Sequence, residues 1–243
     1  MEITSTSNQH VKKWISLQQK KYREKYQLFL IEGQHLLTEA LKMGIVESVI
    51  IRKNSDIKVN FDQVFYVDDK LIKKISTNVS LVDVIAICRY IENKQNKSDK
   101  VIVLDNVQDP SNVGAIIRTA VAFGYPSIFL SHNSVDIYND KLIRATQGAL
   151  FKINIVSGDV VNKIMTLKEA GYTIIATTLQ DAKSLQSVKQ EGPLAIIFGN
   201  EGSGVSQQLL DLADMKVKIE INNFESLNVA VAAGIVLYHF IDK

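Results

Sequence analysis

Three separated stretches of this chain carry side chains able to orient a reacting hydroxyl, each beside glycines or other small residues. The first, Leu104–Ala120, holds Asn112, Gly114 and Arg118. The second, Ile196–Ser206, sets Glu201 among Gly199, Gly202 and Gly204. The third, Phe224–Gly234, leads with Ser226 and Asn228 into a run of small apolar residues. Carboxamides orient groups without titrating, a guanidinium forks onto a phosphate, and a carboxylate accepts a proton or faces a cation.

Each stretch also has an ordinary reading. Ser226 can cap a helix through its hydroxyl, with Asn228 in the first turn where unpaired N–H groups and the positive dipole end point outward. The helix that follows is apolar on nearly every side and is expected to be buried. Ala230, Ala232, Ala233 and Gly234 would let another backbone approach closely. Gly114 precedes Arg118 by one helical turn, so the two share a face. Arg118 is equally a surface arginine in a salt bridge. Asn112 and Asn228 are equally caps or turn formers.

The glycine loop follows an apolar strand and precedes a helix, a place that often cradles phosphate. Its spacing matches neither common phosphate-binding pattern, and Glu201 would disfavour an anion. A ligand without phosphate and with a positive charge suits backbone amides and one carboxylate better. A plain turn fits the loop too.

Taken in order, the three stretches resemble the three motifs of the SpoU (TrmH-type) RNA ribose methyltransferases of the SPOUT superfamily. The matching positions are Asn112, Gly114 and Arg118; then Gly199, Glu201, Gly202 and Gly204; then Ser226, Leu227 and Asn228. Asn222 and Asn223 depart from the pattern, standing where many relatives carry Pro-Met. The resemblance implies that Asn112, Arg118, Glu201, Ser226 and Asn228 surround the reacting 2′-hydroxyl. It implies that Gly199, Ile221 and Leu227 hold the adenine and ribose of S-adenosylmethionine, with Gly204 in the same loop and Thr177 and Thr178 nearby. In the family the arginine acts on the ribose hydroxyl and its phosphate, often across a dimer interface. A guanidinium is essentially never deprotonated in a protein, so a phosphate clamp and oxyanion stabiliser is preferred here over a general base.

Those residues need a scaffold. A chain of 243 residues, 46% hydrophobic, fits one large domain or two modest ones. The polar stretch Glu92–Lys100 reads as a linker, taken as residues 94–100. It separates residues 1–93 from 101–243. Before it, helical spacing appears at Asn8–Gln19 and Gly33–Met43, with β-rich runs at Leu28–Ile31, Val46–Ile51, Val64–Val67 and Leu81–Ile91. After it, apolar strands alternate with helices from Val101 to a terminal helix at Ser226–Ile241, which predicts a parallel sheet covered on both faces. The fold class is α/β. The family resemblance adds a C-terminal trefoil knot and an L30e-like N-terminal domain, neither of which periodicity shows.

Charge divides along the same line. Residues 1–100 hold 17 Lys/Arg against 12 Asp/Glu, and the remainder 11 against 14. Lys12, Lys13, Lys21, Arg23 and Lys25 cluster with Tyr22 and Tyr26 interleaved, a composition suited to RNA phosphates and stacked bases. A solvated helix face would read the same. By resemblance, Arg23 is the leading RNA contact. The single cysteine, Cys88, reads as an inert core residue. His10, His35, His132 and His239 lack ligand spacing, so no metal is expected. No apolar run is long enough to span a bilayer and no signal pattern opens the chain, so a cytoplasmic protein is expected. The expected activity is 2′-O-methylation of structured RNA, ribosomal rather than transfer RNA, by a homodimer. The alternatives are a tRNA 2′-O-methyltransferase, a base methyltransferase of the same superfamily, or an RNA-binding protein of this fold without catalysis.

Overall fold

In the computed structural model, the runs of β-branched residues become the strands of two sheets. Residues 1–92, 98–223 and 225–241 are described. Most of the linker expected at 94–100, and Phe224 in the third motif, lie outside the described residues. Ser98 is buried and Lys100 already begins a strand, so the second sheet starts earlier than the linker reading allowed.

The chain packs as two compact units, Met1–Glu92 with Asp136–Phe151, and Asn93–Val135 with Lys152–Lys243. The sequence pattern predicts a second part unbroken from 101 to 243. Instead, helix α6 (Asp140–Thr146) packs with the first unit.

In the first unit, β1 (Glu2–Ile3), β2 (Leu28–Glu32), β3 (Val46–Arg52), β4 (Val64–Val67) and β5 (Val84–Arg89) form a mixed sheet in the order β1-β4-β3-β5-β2. Helices α1 (Gln9–Ser16), α2 (Lys20–Tyr26), α3 (Gln34–Lys42) and α4 (Asp69–Ile75) surround it. Asn8 caps α1 by accepting from the His10 N–H at 2.8 Å, which lets Val11 and Trp14 turn inward. Trp14, Ile50, Phe65 and Ile72 share one apolar core. Cys88 lies in β5, fully buried, and burial pushes its thiol well above the usual range, so it is unreactive.

In the second unit, β6 (Lys100–Leu104), β7 (Ser127–Ser131), β8 (Asn154–Gly158), β9 (Thr173–Thr177), β10 (Lys183–Ser184), β11 (Leu194–Phe198) and β12 (Met215–Lys218) form a sheet in the order β10-β12-β9-β11-β6-β7-β8. Every pairing in it is parallel. Val103, Ile174 and Ile197 face α7 (Val160–Glu169) and α8 (Gln207–Leu212) through Ile164 and Leu209. The alternate residues Ile102, Ile175 and Ile196 are equally buried, so both faces are covered as the continuous apolar runs predict.

Two further helices, α5 (Pro110–Ala122) and α9 (Val229–His239), pack against each other. A Cβ on Gly234 would lie 4.0 Å from Thr119 Cγ2, a close helix approach. Contrary to the sequence reading, α9 is not buried all round: Val231, Ile235 and Tyr238 are 52%, 41% and 64% exposed. They fall one turn apart on one stripe. No helix among the described residues is long and apolar enough to cross a membrane.

Candidate active site

Register sets the site. Phe198 pairs with Leu104 where β11 and β6 run side by side, so the loops leaving both strands emerge together at their carboxyl ends. Ligands of open parallel sheets bind at such ends. The Asp105 N–H donates to the Phe198 carbonyl at 2.9 Å, and the buried Asp105 carboxylate accepts from the Ser206 N–H at 2.8 Å. This carboxylate holds the far end of the glycine loop against β6.

The loop closes on itself. Asn200 and Gly204 exchange backbone hydrogen bonds at 3.0 and 2.9 Å. Asn200 Oδ1 accepts from the N–H groups of Gly202 and Ser203, while its Nδ2 donates to the Asn106 carbonyl at 2.8 Å. A Cβ on Gly199 would sit 2.0 Å from the Gly204 carbonyl carbon, so glycine is demanded by loop closure itself. Gly204 has φ +71, which also favours glycine.

Two helix starts face this loop. Asp109 caps α5, accepting from Ser111 and Asn112 N–H groups, with Pro110 in the first turn. Asn228, not Ser226, caps α9: its Oδ1 accepts from Ala230 at 2.9 Å and from Val231 at 3.3 Å. Ser226 lies two residues outside the helix, exposed, with no cap bond. Serine and asparagine are both good caps, so residue type alone does not separate Ser226 from Asn228.

The caps are joined. Asn228 Nδ2 donates to Asn112 Oδ1 at 2.9 Å, and Asn112 Nδ2 donates to Glu201 Oε1 at 2.9 Å. The Asp109 N–H reaches the same carboxylate oxygen at 3.4 Å. One residue from each of the three motifs thus enters a single hydrogen-bonded line, from α9 through α5 to the glycine loop. Asn228 and Glu201 are exposed, leaving the line open to a ligand.

The other expected residues stand apart. Arg118 is exposed on α5, and among the described residues it makes no hydrogen bond or ion pair. Six residues beyond Asn112, it lies roughly 9 Å further along the helix axis, pointing elsewhere. Thr177 Oγ1 donates to the Ile197 carbonyl at 3.0 Å, tying β9 to β11, and Thr178 Oγ1 accepts from Gln180 N–H at 3.3 Å. Ile221 is half-buried just ahead of the exposed Asn222 and Asn223. Leu227 ahead of α9 and Leu179 beyond β9 are 37% and 54% exposed.

Residues the sequence reading assigned no role are Asp105, Asn106, Asp109 and Asn200. Asp109-Pro110 carried a legible cap signal. Asn106, at φ +56, belongs to a type that tolerates the left-handed region, but its partner Asn200 is 94 residues away.

Of the basic residues expected to meet RNA, Arg23 is corrected. It is buried: Nη1 donates to the Leu17 and Gln18 carbonyls at 3.0 Å each, and Nη2 pairs with Asp136 at 2.6 Å. It secures the end of α1 and cannot reach a phosphate. Lys12, Lys21 and Lys25 are exposed, and Lys13 pairs with Glu47 at 3.3 Å.

The Glu201 carboxylate and the exposed Leu227, linked through Asn112 and Asn228, suit a nucleoside bearing a cation, so these residues fit S-adenosylmethionine. Among the described residues, no group of three or more His, Cys, Asp or Glu side chains could hold a metal.

Residues 99–238 match the SpoU rRNA Methylase family, and residues 8–86 match the MRM3-like substrate binding domain. The chain is 36% identical over 98% of both lengths to the 23S rRNA (guanosine(2553)-2'-O)-methyltransferase RlmP of Bacillus subtilis. An rRNA methyltransferase from Sinorhizobium meliloti superposes with a TM-score of 0.88 at 28% identity, covering 98% of this chain and 96% of that one. The AdoMet-bound form of that enzyme gives a TM-score of 0.86 at 28% identity, with the same coverage. On the extent of these matches, the chain belongs to the SpoU rRNA methylase family.

Proposed function

We propose that this protein transfers a methyl group from S-adenosylmethionine to a ribose 2′-hydroxyl of structured RNA, ribosomal RNA in preference to transfer RNA. The observation that carries the reading is the Asn228–Asn112–Glu201 line, which joins all three family motifs in one exposed polar row. The relative named as a 23S rRNA 2'-O-methyltransferase favours ribosomal RNA.

S-adenosylmethionine, when bound, supplies a methyl group on a positively charged sulfur. Gly199, Gly204, Ile221 and Leu227 would hold it, with Thr177 and Thr178 beside the same strand ends. The chain's part is positioning, which can contribute about 7–11 kcal/mol to a barrier. Asn112 and Asn228 fix each other's amides, so their outward atoms present fixed polarity to the ribose. Glu201 draws the Asn112 amide into place and can take the hydroxyl proton through water. Ser226, on the adjoining loop, adds a hydroxyl to the same shell. Arg118 clamps the phosphate next to the reacting sugar, its fork matching two oxygens.

Arg118 points away from its own polar row, which supports a homodimer in which it serves the partner's site. The exposed stripe of Val231, Ile235 and Tyr238 on α9 supplies the apolar surface such a dimer needs. The family's trefoil knot would pass the last helix, α9, through a preceding loop. The first compact unit, with an L30e-like fold, would recruit RNA through Lys12, Lys13, Lys21 and Lys25. A ribosomal substrate supports a cytoplasmic setting.

The test uses purified protein, S-adenosylmethionine labelled on the methyl group, and ribosomal RNA from cells lacking this gene. Label should appear in a single 2′-O-methylnucleoside after complete digestion. Label in a free base, or no cofactor binding by calorimetry, would overturn the reading.

A further inference from the structure

Helix α2 is held in an unusual way. It has seven residues, and Arg23 is its one buried side chain. A helix so short is not stable alone. It stays in place because Arg23 reaches inward to two carbonyls and to Asp136. Every other side chain of α2 is left outside the core, including two aromatic ones.

Those outer side chains are organised. Tyr22 and Tyr26 lie one turn apart, their rings within 14° of parallel and 6.3 Å between centroids. Lys21 Nζ lies 4.8 Å from the Tyr22 ring centre, and Lys25 and Lys13 lie 5.5 and 5.4 Å from that of Tyr26. Tyr26 is 37% exposed. Among the described residues, neither Lys21 nor Lys25 has an ion pair. Had the rings served only to pack the helix, the buried face of α2 would be aromatic, not a guanidinium.

An exposed Tyr26 ring and a half-buried Tyr22 ring, beside ammonium groups of Lys21 and Lys25 that make no ion pair, match one chemistry: a nucleobase on a ring and its phosphates on the lysines. A base inside a duplex shows no face, so the match is to an unpaired nucleotide. We infer that the outer face of α2 docks an unpaired nucleotide of the RNA substrate, the base stacking on Tyr22 or Tyr26 and adjoining phosphates meeting Lys21 and Lys25. This rests on the proposal that the first compact unit recruits RNA, and it specifies which RNA feature is read.

The test uses the full-length protein, a short unstructured RNA and a blunt RNA duplex, each fluorescently labelled, with anisotropy followed across salt concentration. Replacing both rings, Tyr22→Leu with Tyr26→Leu, should weaken single-strand binding by about tenfold or more. Duplex binding and the salt slope should hold. Lys21→Gln with Lys25→Gln should instead flatten the single-strand log–log salt slope by about 1.4, at ~0.7 per phosphate lost. Melting temperature and cofactor calorimetry confirm that each variant is folded. The inference falls if the tyrosine variant binds single strands within about twofold of the parent, a change too small for lost stacking. It falls equally if both RNAs weaken together, or if the parent binds single strands no better than duplex. Intact methyl transfer alongside any of these results would leave the activity standing and remove only this site. Absent methyl transfer by the parent would count against the activity instead.

Discussion

Asn228 has two separable roles, and two substitutions can pull them apart. Its Oδ1 caps α9 through Ala230 and Val231, while its Nδ2 holds Asn112. Asn228→Ala removes both. The lost cap costs about 1 kcal/mol. The lost side-chain hydrogen bond costs about 0.5–1.5 kcal/mol more. For a domain of this size, 1 kcal/mol moves the melting temperature by about 2–4 °C, so a fall of about 3–10 °C is expected. Asn228→Asp keeps the cap oxygen, and its charge suits the helix N-terminus by about 0.3–1 kcal/mol. It loses the amide donor and turns an oxygen toward Asn112 Oδ1. Stability should therefore stay near the parent while turnover falls. If Asn112 then loses about 1–2 kcal/mol of orientation, the rate drops about 5- to 30-fold. Calorimetric melting and methyl incorporation into RNA give the two readouts. Asn228→Asp turning over at the parent rate would refute a positioning role for the line. Asn228→Asp melting as low as Asn228→Ala would refute the cap.

Other positions follow from the same geometry. Gly199→Ala places a carbon where the Gly204 carbonyl already sits, so cofactor affinity by calorimetry should fall steeply while the sheet stays folded by circular dichroism. Arg23→Gln leaves Asp136 without its buried partner. A loss of about 3–5 kcal/mol in denaturant unfolding is expected, and a loss under about 1 kcal/mol would put the pair at surface value. Asp214 is subject to burial, which raises its pKa, but the Lys168 hydrogen bond, the Ile174 N–H and the Lys168 charge together outweigh that and hold it below the usual carboxylate range. Its contribution is thus present above the unfolded carboxylate value of about 4 and is lost as pH falls through the lower folded value. Asp214→Asn should flatten the acid limb of stability against pH; parallel curves would deny the shift.

Local pattern made much of this protein legible. Val101–Leu104 and Leu194–Phe198 are short, β-branched apolar runs between turn residues, which favours strands buried on both faces, and both are strands. A parallel α/β sheet followed, and three spaced motifs pointed to the family. Short helices escaped notice: α4 spans two turns, too few for a helical period to stand out, though Asp68 marks its cap.

Long-range partners were not legible. Arg23 sits in a basic run and read as exposed; Asp136, 113 residues away, makes it a buried clamp. Asn228 and Ser226 offered two caps of similar strength, and the chain's path into α9 chose between them. The terminal helix is apolar throughout, so its composition could not tell which stripe meets α5 and which stays outside. Sequence alone fixed which residue types were available, since strand and cap preferences depend on neighbours along the chain. Only the tertiary structure decided which of them meet, because the line from Asn228 through Asn112 to Glu201 crosses separations of 116 and 89 residues. Parallel register, not local preference, closes those distances.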